Sequence, residues 1–262
     1  MTILFDKNEN GIARITLNRP EVHNAFNDEM ISDLYDAFKK LQNDDDCKVV
    51  VLSGNGVSFS AGADLNWMKK AADYSYGENL DDANRLSDML NALYHLPQLT
   101  VTCTKGANMG GALGLISCSD IVVADESSRF SFSEVKLGLV PATISPFVIK
   151  AIGERQAKRY FQTAENFGVE KAKEIGLVHE ITTSEDALDG FLETLFYNIK
   201  NNAPMAMRSA KDLVSQIGGR EITDGLRENT AEQIAKTRVS SEAREGLTAF
   251  FDKRKPDWKN NV

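Results

Sequence analysis

The chain has 262 residues, and 30 Lys and Arg against 38 Asp and Glu leave a net charge of −8. With 42% hydrophobic and 26% charged residues it has the composition of a globular protein long enough to bury a core without disulfide staples. The acidic balance excludes a general nucleic-acid surface, which rests on clustered Lys and Arg, and no run of about eighteen apolar residues reads as a membrane span.

The chain opens as a hairpin: residues 3–5, a turn through Asn8, Glu9, Asn10 and Gly11, then 12–17 with Ala13, Ile15 and Leu17 alternating. A helix is predicted from Asn27 or Asp28, because Met30, Ile31, Leu34, Ala37, Phe38 and Leu41 recur at helical spacing, and it ends before Asp44. Residues 49–52 are a β-branched run without alternation, the pattern of a strand buried on both faces. Leu80, Ala83, Leu86, Met89, Leu90 and Leu93 form the stripe of a second helix closing at Pro97, and 99–103 is the next strand. Residues 106–117 are small and apolar enough for one buried helix, and 121–124 returns to strand. Residues 48–124 therefore predict repeated βαβ units, hence a mostly parallel sheet. From about residue 184 the pattern is helical, with segments at 206–217, 221–238 and 243–253. Cys47, Cys103 and Cys118 make no Cys-x-x-Cys pair, and the first residues lack a basic and apolar leader, so a reducing, cytoplasmic setting is expected.

Two glycine-rich segments each follow a buried strand: Ser58-Phe59-Ser60-Ala61-Gly62-Ala63-Asp64-Leu65 and Gly106-Ala107-Asn108-Met109-Gly110-Gly111-Ala112-Leu113-Gly114. Loops at the carboxyl ends of neighbouring parallel strands converge on one crevice, where free N–H groups from both can hold an oxygen that gains negative charge. Two tight turns and a close helix contact are the plainer alternative. The spacing fits neither a dinucleotide fingerprint nor a P-loop, there is no Gly-x-Ser-x-Gly elbow, and no His or carboxylate cluster has metal-ligand spacing. His23, His95 and His179 read as a loop residue, a helix cap and a strand residue. Glu134, inside the apolar stretch from Arg129 to Pro141, is the most informative acid. Burial there raises a carboxyl pKa and makes it a proton carrier near neutral pH; a salt bridge to Lys136 or Arg129, or a helix cap, is the structural alternative.

At these residues the chain closely resembles the enoyl-CoA hydratase/isomerase (crotonase) family over nearly its whole length. The matching pieces are Ile15 to Pro20 with Asn24-Ala25, Phe59 to Leu65, Gly106 to Asp120, Phe130 to Pro141, Ala172 to Val178 and Glu245 to Arg254. The resemblance implies an α/β crotonase-like spiral of ββα units over residues 1–195, with a helical C-terminal trimerisation region over 196–262. It also implies homotrimers or homohexamers that bind an acyl-CoA thioester, with coenzyme A carried by the substrate and no metal, flavin or nicotinamide. Carried over by position, the N–H groups of Ala63 and Gly111 are the oxyanion donors and Glu134 the catalytic acid. Ala61, Asp64, Leu65, Gly110 and Lys253 fall at substrate or CoA contacts, Lys253 reaching CoA phosphates from a neighbouring subunit.

The resemblance departs at one catalytic position. Two-acid hydratases carry a first Glu where this chain has Gly114, so a single carboxylate must manage the proton traffic, or Asn108, Ser133 or Thr143 must hold the water. One acid also suits the family's Δ3,Δ2-enoyl-CoA isomerases, and a missing acid leaves room for an acyl-CoA- or RNA-binding member. The strings Ser60 to Lys69, Tyr74-Ser75-Tyr76 and Val140 to Pro146 resemble the bacterial branch that hydrates 3-methylglutaconyl-CoA in leucine and isovalerate breakdown, and its relatives acting on isohexenylglutaconyl-CoA. Such a substrate carries a distal carboxylate, for which Lys69, Lys70 and Arg85 are candidate partners, or else solvated helix-face charges.

Overall fold

The computed structural model describes residues 1–259. Strands β1 (Ile3–Lys7) and β2 (Ile12–Leu17) pair antiparallel, with Ile3 opposite Leu17. The turn between them is closed by Asn8, whose Oδ1 accepts the N–H groups of Asn10 and Ile12. Helix α1 (Asp28–Gln42) starts where Asn27 accepts the Met30 N–H, and buries Met30, Ile31, Leu34, Phe38 and Leu41 on one face. Strand β3 (Val49–Gly54) runs parallel to β2 with residues 49–52 all buried. Helix α2 (Leu65–Ala71), helix α3 (Tyr76–Tyr94) and strand β4 (Leu99–Thr104) follow, and α3 turns Met89, Leu90 and Leu93 onto the core. Each large apolar side chain buried in this way is worth about 1.5–3 kcal/mol, which outweighs the modest intrinsic helix preference of such mixed sequences.

Residues 106–117 are not one helix. They divide into β5 (Ala107–Met109), a turn at Gly110 and Gly111, and α4 (Ala112–Cys118). The reason is tertiary pairing: Met109 donates its N–H to the Ser60 carbonyl and Gly110 to the Ser131 carbonyl. Gly110 also adopts φ 51°, which ends any helix before it. The main sheet continues through β6 (Ile121–Asp125), while β5 pairs with β7 (Arg129–Ser131) in a second, smaller sheet. Helix α5 (Ser145–Thr163), strand β8 (Phe167–Gly168), helix α6 (Val169–Glu174) and strand β9 (Glu180–Thr182) complete this part. The main sheet has the order β1-β2-β3-β4-β6-β9, parallel everywhere except the first pair, and the small sheet has the order β5-β7-β8. The edge strand β9 begins one residue after His179, which the sequence places in a strand.

Residues 1–188 form one compact unit and the described residues from 189 onward a second. Helix α7 (Glu185–Lys200) spans that boundary, and α8 (Pro204–Ile217), α9 (Asp224–Arg238) and α10 (Ser241–Phe251) lie in the second unit. Within it, the Glu242 carboxylate of α10 accepts the N–H groups of Met205 and Ala206, both at 2.9 Å, and so caps α8. Among the described residues no helix is long and apolar enough to cross a membrane, and the three cysteines are buried.

Candidate functional site

The two glycine-rich loops are stitched side by side. Ser60 and Asn108 form a parallel bridge, as do Phe26 and Ala63. In the second bridge the Phe26 N–H donates to the Gly62 carbonyl at 2.7 Å and the Asp64 N–H donates to the Phe26 carbonyl at 2.8 Å. Residues 62 and 64 therefore face Phe26, and the intervening Ala63 N–H points the other way. Gly111 stands at the start of α4 with an edge of the Phe26 ring 3.3 Å from where a Cβ would be. Among the described residues neither the Ala63 nor the Gly111 N–H donates to a protein acceptor, and both residues line one cavity of about 640 Å³. Gly62 is required at its position: φ is 88°, and a Cβ would lie 2.7 Å from the Met109 carbonyl oxygen.

Glu134 opens a short 3-10 turn after β7. The segment is anchored by buried rings, Phe132 packing 4.9 Å from Phe161 and Phe130 5.6 Å from Phe167 between centroids. The turn closes through Gly138 in the left-handed region, and Leu139 donates its N–H to the Glu134 carbonyl. The Glu134 carboxyl enters the cavity beside the glycine turn, its Oε1 lying 3.2 Å from where a Cβ on Gly110 would sit. Its Oε2 is buried without a hydrogen-bond partner. Neither salt-bridge alternative is realised: Arg129 donates to the carbonyls of Glu126 and Ser128, and Lys136 is exposed. Burial pushes the Glu134 carboxyl above the usual carboxylate range, and its own backbone N–H offsets this only in part.

The remaining walls explain what else the site can and cannot hold. A Cβ on Gly114 would meet Ile144 Cγ2 at 2.6 Å and the two Leu90 methyls at 3.1 Å each. The space an acid would need at that position is filled with aliphatic carbon. Met68, Leu86, Val140 and Ile144 make the wall largely apolar, and Ser133 and Thr143 add hydroxyls. Asp82 also lines the cavity, which the sequence reading missed; its Oδ1 accepts from Trp67 Nε1 at 3.2 Å and Arg85 Nη2 at 2.9 Å. The available signal was its place three residues after Asn79 and four before Leu86, on one stripe of α3. The charged residues lining the cavity, among those described, are thus two acids and no cation.

Several sequence candidates lie elsewhere or do other work. Ala61, Leu65 and Gly110 line the cavity. Asp64 does not: its Oδ2 accepts from Arg19 at 2.8 Å, and its Oδ1 accepts the Asn66 N–H at the start of α2. Its side chain is therefore engaged by the protein. Burial raises the Asp64 pKa, but Arg19 and the helix N–H groups more than offset it, leaving the carboxyl below the usual range. Lys253 sits in the second unit just after α10, exposed and at φ 53°, while its neighbour Arg254 is held bidentate by Glu245. Lys69 and Lys70 are exposed and off the cavity, and Arg85 is tied to Asp82 and Asp28. Asn108 is buried against the Gly106 carbonyl and does not line the cavity. His23 bonds Ser58, His95 bonds the Asn91 carbonyl, and His179 Nδ1 accepts the Val122 N–H, so none is at the site. Among the described residues no group of three or more His, Cys, Asp or Glu is arranged to hold a metal ion.

Comparison with known proteins gives a consistent result. A family model described as Enoyl-CoA hydratase/isomerase matches residues 7–261. A putative enoyl-CoA hydratase of Thermus thermophilus is 34% identical over 245 residues, covering 94% of this chain and 96% of that protein. A 2,3-dehydroadipyl-CoA hydratase of Escherichia coli is 28% identical over 261 residues, covering 99% of each. The crystal structure of an enoyl-CoA hydratase from Shewanella pealeana superimposes with a TM-score of 0.94 at 42% identity, covering 98% of this chain and 96% of that one.

Proposed function

The chain belongs to the enoyl-CoA hydratase/isomerase family, an α/β enzyme of the crotonase fold, and from that premise we propose that it adds water reversibly across a double bond conjugated to a CoA thioester. The observation that carries the proposal is the Glu134 carboxyl, whose Oε2 is buried without a partner, in the same cavity as two undonated N–H groups. Ala63 and Gly111 receive the thioester oxygen as it becomes an enolate oxygen, and a donor of this kind is worth roughly 3–4 kcal/mol. Ionised Glu134 accepts a proton from water as the water oxygen bonds C3; C2 then takes a proton back from the Glu134 carboxylic acid. In dehydration the same steps reverse, and Glu134 protonates the departing hydroxyl. Electrons stay paired on substrate and carboxylate throughout, so the reaction as proposed requires no redox cofactor and coenzyme A arrives with the substrate.

The finer proposal is that the substrate is 3-methylglutaconyl-CoA, hydrated to 3-hydroxy-3-methylglutaryl-CoA in the cytoplasm. It is supported by the two branch-like strings, 60–69 and 140–146, because residues from both line the cavity. A relative named for a dehydroadipyl thioester points the same way. Ala61, Leu65 and Gly110 hold the thioester and CoA arm, and Lys253 meets the CoA phosphates of a neighbouring copy in a trimer or hexamer. Leu247, Phe250 and Phe251 of α10, 51%, 77% and 74% exposed, are the apolar surface such an assembly covers. One feature of the site favours a second reading: with a single catalytic acid, aliphatic carbon around Gly114 and, among the described residues, no cation lining the cavity, it also fits a Δ3,Δ2-enoyl-CoA isomerase acting on a neutral acyl chain. There Glu134 takes a C2 proton and returns it to C4.

Steady-state rates on 3-methylglutaconyl-CoA, crotonyl-CoA and 3-hexenoyl-CoA separate these readings, with Glu134→Gln as control. Preference for the first, lost in the variant, supports the hydratase; conversion of 3-hexenoyl-CoA alone replaces it by the isomerase. Silence on all three, or full turnover by Glu134→Gln, overturns the proposal.

A further inference from the structure

We propose that Arg19 is a positioning residue that holds the Ala63 N–H on its target by bracing the Phe26–Ala63 bridge across both of its strands. The inference rests on the reading above that this N–H receives the enolate oxygen. The bridge is isolated, not part of a sheet: two backbone hydrogen bonds define it, and the same two segments are joined just before it by the Ala61 N–H to the His23 carbonyl and Ser60 Oγ to the Asn24 carbonyl. Parallel pairing alternates which residues face the partner, so a slip of one residue would turn the Ala63 N–H toward Phe26 and away from the cavity.

One guanidinium spans this bridge. Arg19 Nη1 donates to the Ala25 carbonyl at 2.6 Å, on the residue before Phe26. Arg19 Nη2 donates to Asp64 Oδ2 at 2.8 Å, on the residue after Ala63. Arg19 is itself fixed, its N–H donating to Asn24 Oδ1 and its carbonyl accepting the Asn24 N–H, each at 2.8 Å. Asn24 in turn donates from Nδ2 to the carbonyls of Asn55 and Ser58, which lead into the same loop. The ion pair is largely shielded, with side-chain exposures of 18% for Arg19 and 8% for Asp64. Screening by solvent is weak there, and two donors on a planar group do what a single ammonium cannot, so lysine is not equivalent. Asp64 also caps α2, and asparagine is as good a cap as aspartate, so Asp64→Asn weakens the brace while leaving the helix start in place.

The test compares wild type, Arg19→Lys, Arg19→Gln and Asp64→Asn. The readouts are kcat and KM on the thioester turned over, and binding of acetoacetyl-CoA, which can enolise, beside butyryl-CoA, which cannot. The expected result is a kcat lowered about tenfold to a hundredfold with KM within about twofold, as geometry and not ground-state binding is disturbed. The enolate absorbance of bound acetoacetyl-CoA falls in parallel, butyryl-CoA affinity is retained, and the Arg19→Gln and Asp64→Asn losses are not additive. Wild-type kcat in the variants, or joint loss of kcat and butyryl-CoA affinity in Asp64→Asn, overturns the brace. A wild type that binds acetoacetyl-CoA without enolate absorbance overturns the oxyanion reading itself. Enolate in the wild type that is undiminished in all variants overturns the brace alone.

Discussion

Replacing Gly114 by alanine adds one methyl group at a place where it would stand 2.6 Å from Ile144 Cγ2 and 3.1 Å from both Leu90 methyls. Carbon atoms pack at about 3.5–4.0 Å, so the Ile144 contact is short by roughly 1 Å. The Leu90 methyls are the far ends of a flexible chain and can turn aside. Ile144 cannot: Cγ2 sits directly on a β-branched carbon with stiff χ1, the residue is 2% exposed, and it opens α5. Overpacking of this kind costs about 1–3 kcal/mol, against a gain of about 1 kcal/mol from replacing glycine in a helix interior. A net destabilisation of about 0–2 kcal/mol is expected. Removing the obstructing methyl should restore the fit. Ile144→Ala alone costs about 2–5 kcal/mol, but the Gly114→Ala/Ile144→Ala pair should be about 1–3 kcal/mol more stable than the sum of its parts. Ile144→Val keeps both γ-carbons and should give no such coupling. Urea unfolding followed by tryptophan fluorescence, at one protein concentration and unchanged slope, measures this directly. A Gly114→Ala protein more stable than wild type, or relief by Ile144→Val equal to that by Ile144→Ala, would refute the reasoning. The same contact explains why Gly114→Glu should not install a second catalytic acid: beyond the alanine methyl it adds a methylene and a carboxylate to a space already occupied.

Glu134→Gln should lower kcat by about 10²–10⁴ while saturated acyl-CoA still binds, as stopped-flow binding would show; loss of both together would mean the loop had moved. Because burial raises the Glu134 pKa, the ionised base forms only at higher pH, and the acid limb of kcat should lie above the usual carboxylate range and vanish in the variant. The linked stability effect has a fixed sign: a raised folded-state pKa stabilises below the ordinary carboxylate pKa, and that contribution is lost as pH rises through the raised value. Glu134→Gln should therefore gain stability relative to wild type at neutral pH and lose that advantage near pH 4. Asp82→Asn removes one of the two acids lining the cavity and should lower KM for 3-methylglutaconyl-CoA severalfold more than for crotonyl-CoA; equal effects on both would show that Asp82 is out of reach of the acyl end. Lys253→Ala should raise KM for an acyl-CoA at low salt but not for the matching acyl-pantetheine, which lacks the phosphates. An unchanged ratio of the two KM values would remove Lys253 from CoA recognition.

The sequence by itself determined the elements whose signal is local. The hairpin at residues 3–17, the stripe from Met30 to Leu41 and the β-branched run at 49–52 are all legible because burial imposes a period of 2, a period of 3.6 or no period at all. The two glycine-rich loops and the out-of-place acid Glu134 were legible for a related reason: small residues after a buried strand, and a carboxyl inside an apolar run, violate the pattern around them. Tertiary structure alone decided the rest. Residues 107–109 became a strand because Ser60 and β7 offered backbone partners from distant parts of the chain. Asp64, which the resemblance sets at a CoA contact, is paired with Arg19, 45 positions away. Gly114 stood out in sequence as the place of a missing acid, but that Ile144 and Leu90 fill its side-chain space is visible only in the fold. Arg85 and Asp82, adjacent on one helix face, take opposite roles because only Asp82 is turned into the cavity. These are contacts between residues far apart in the chain, and no local pattern encodes which of them meet.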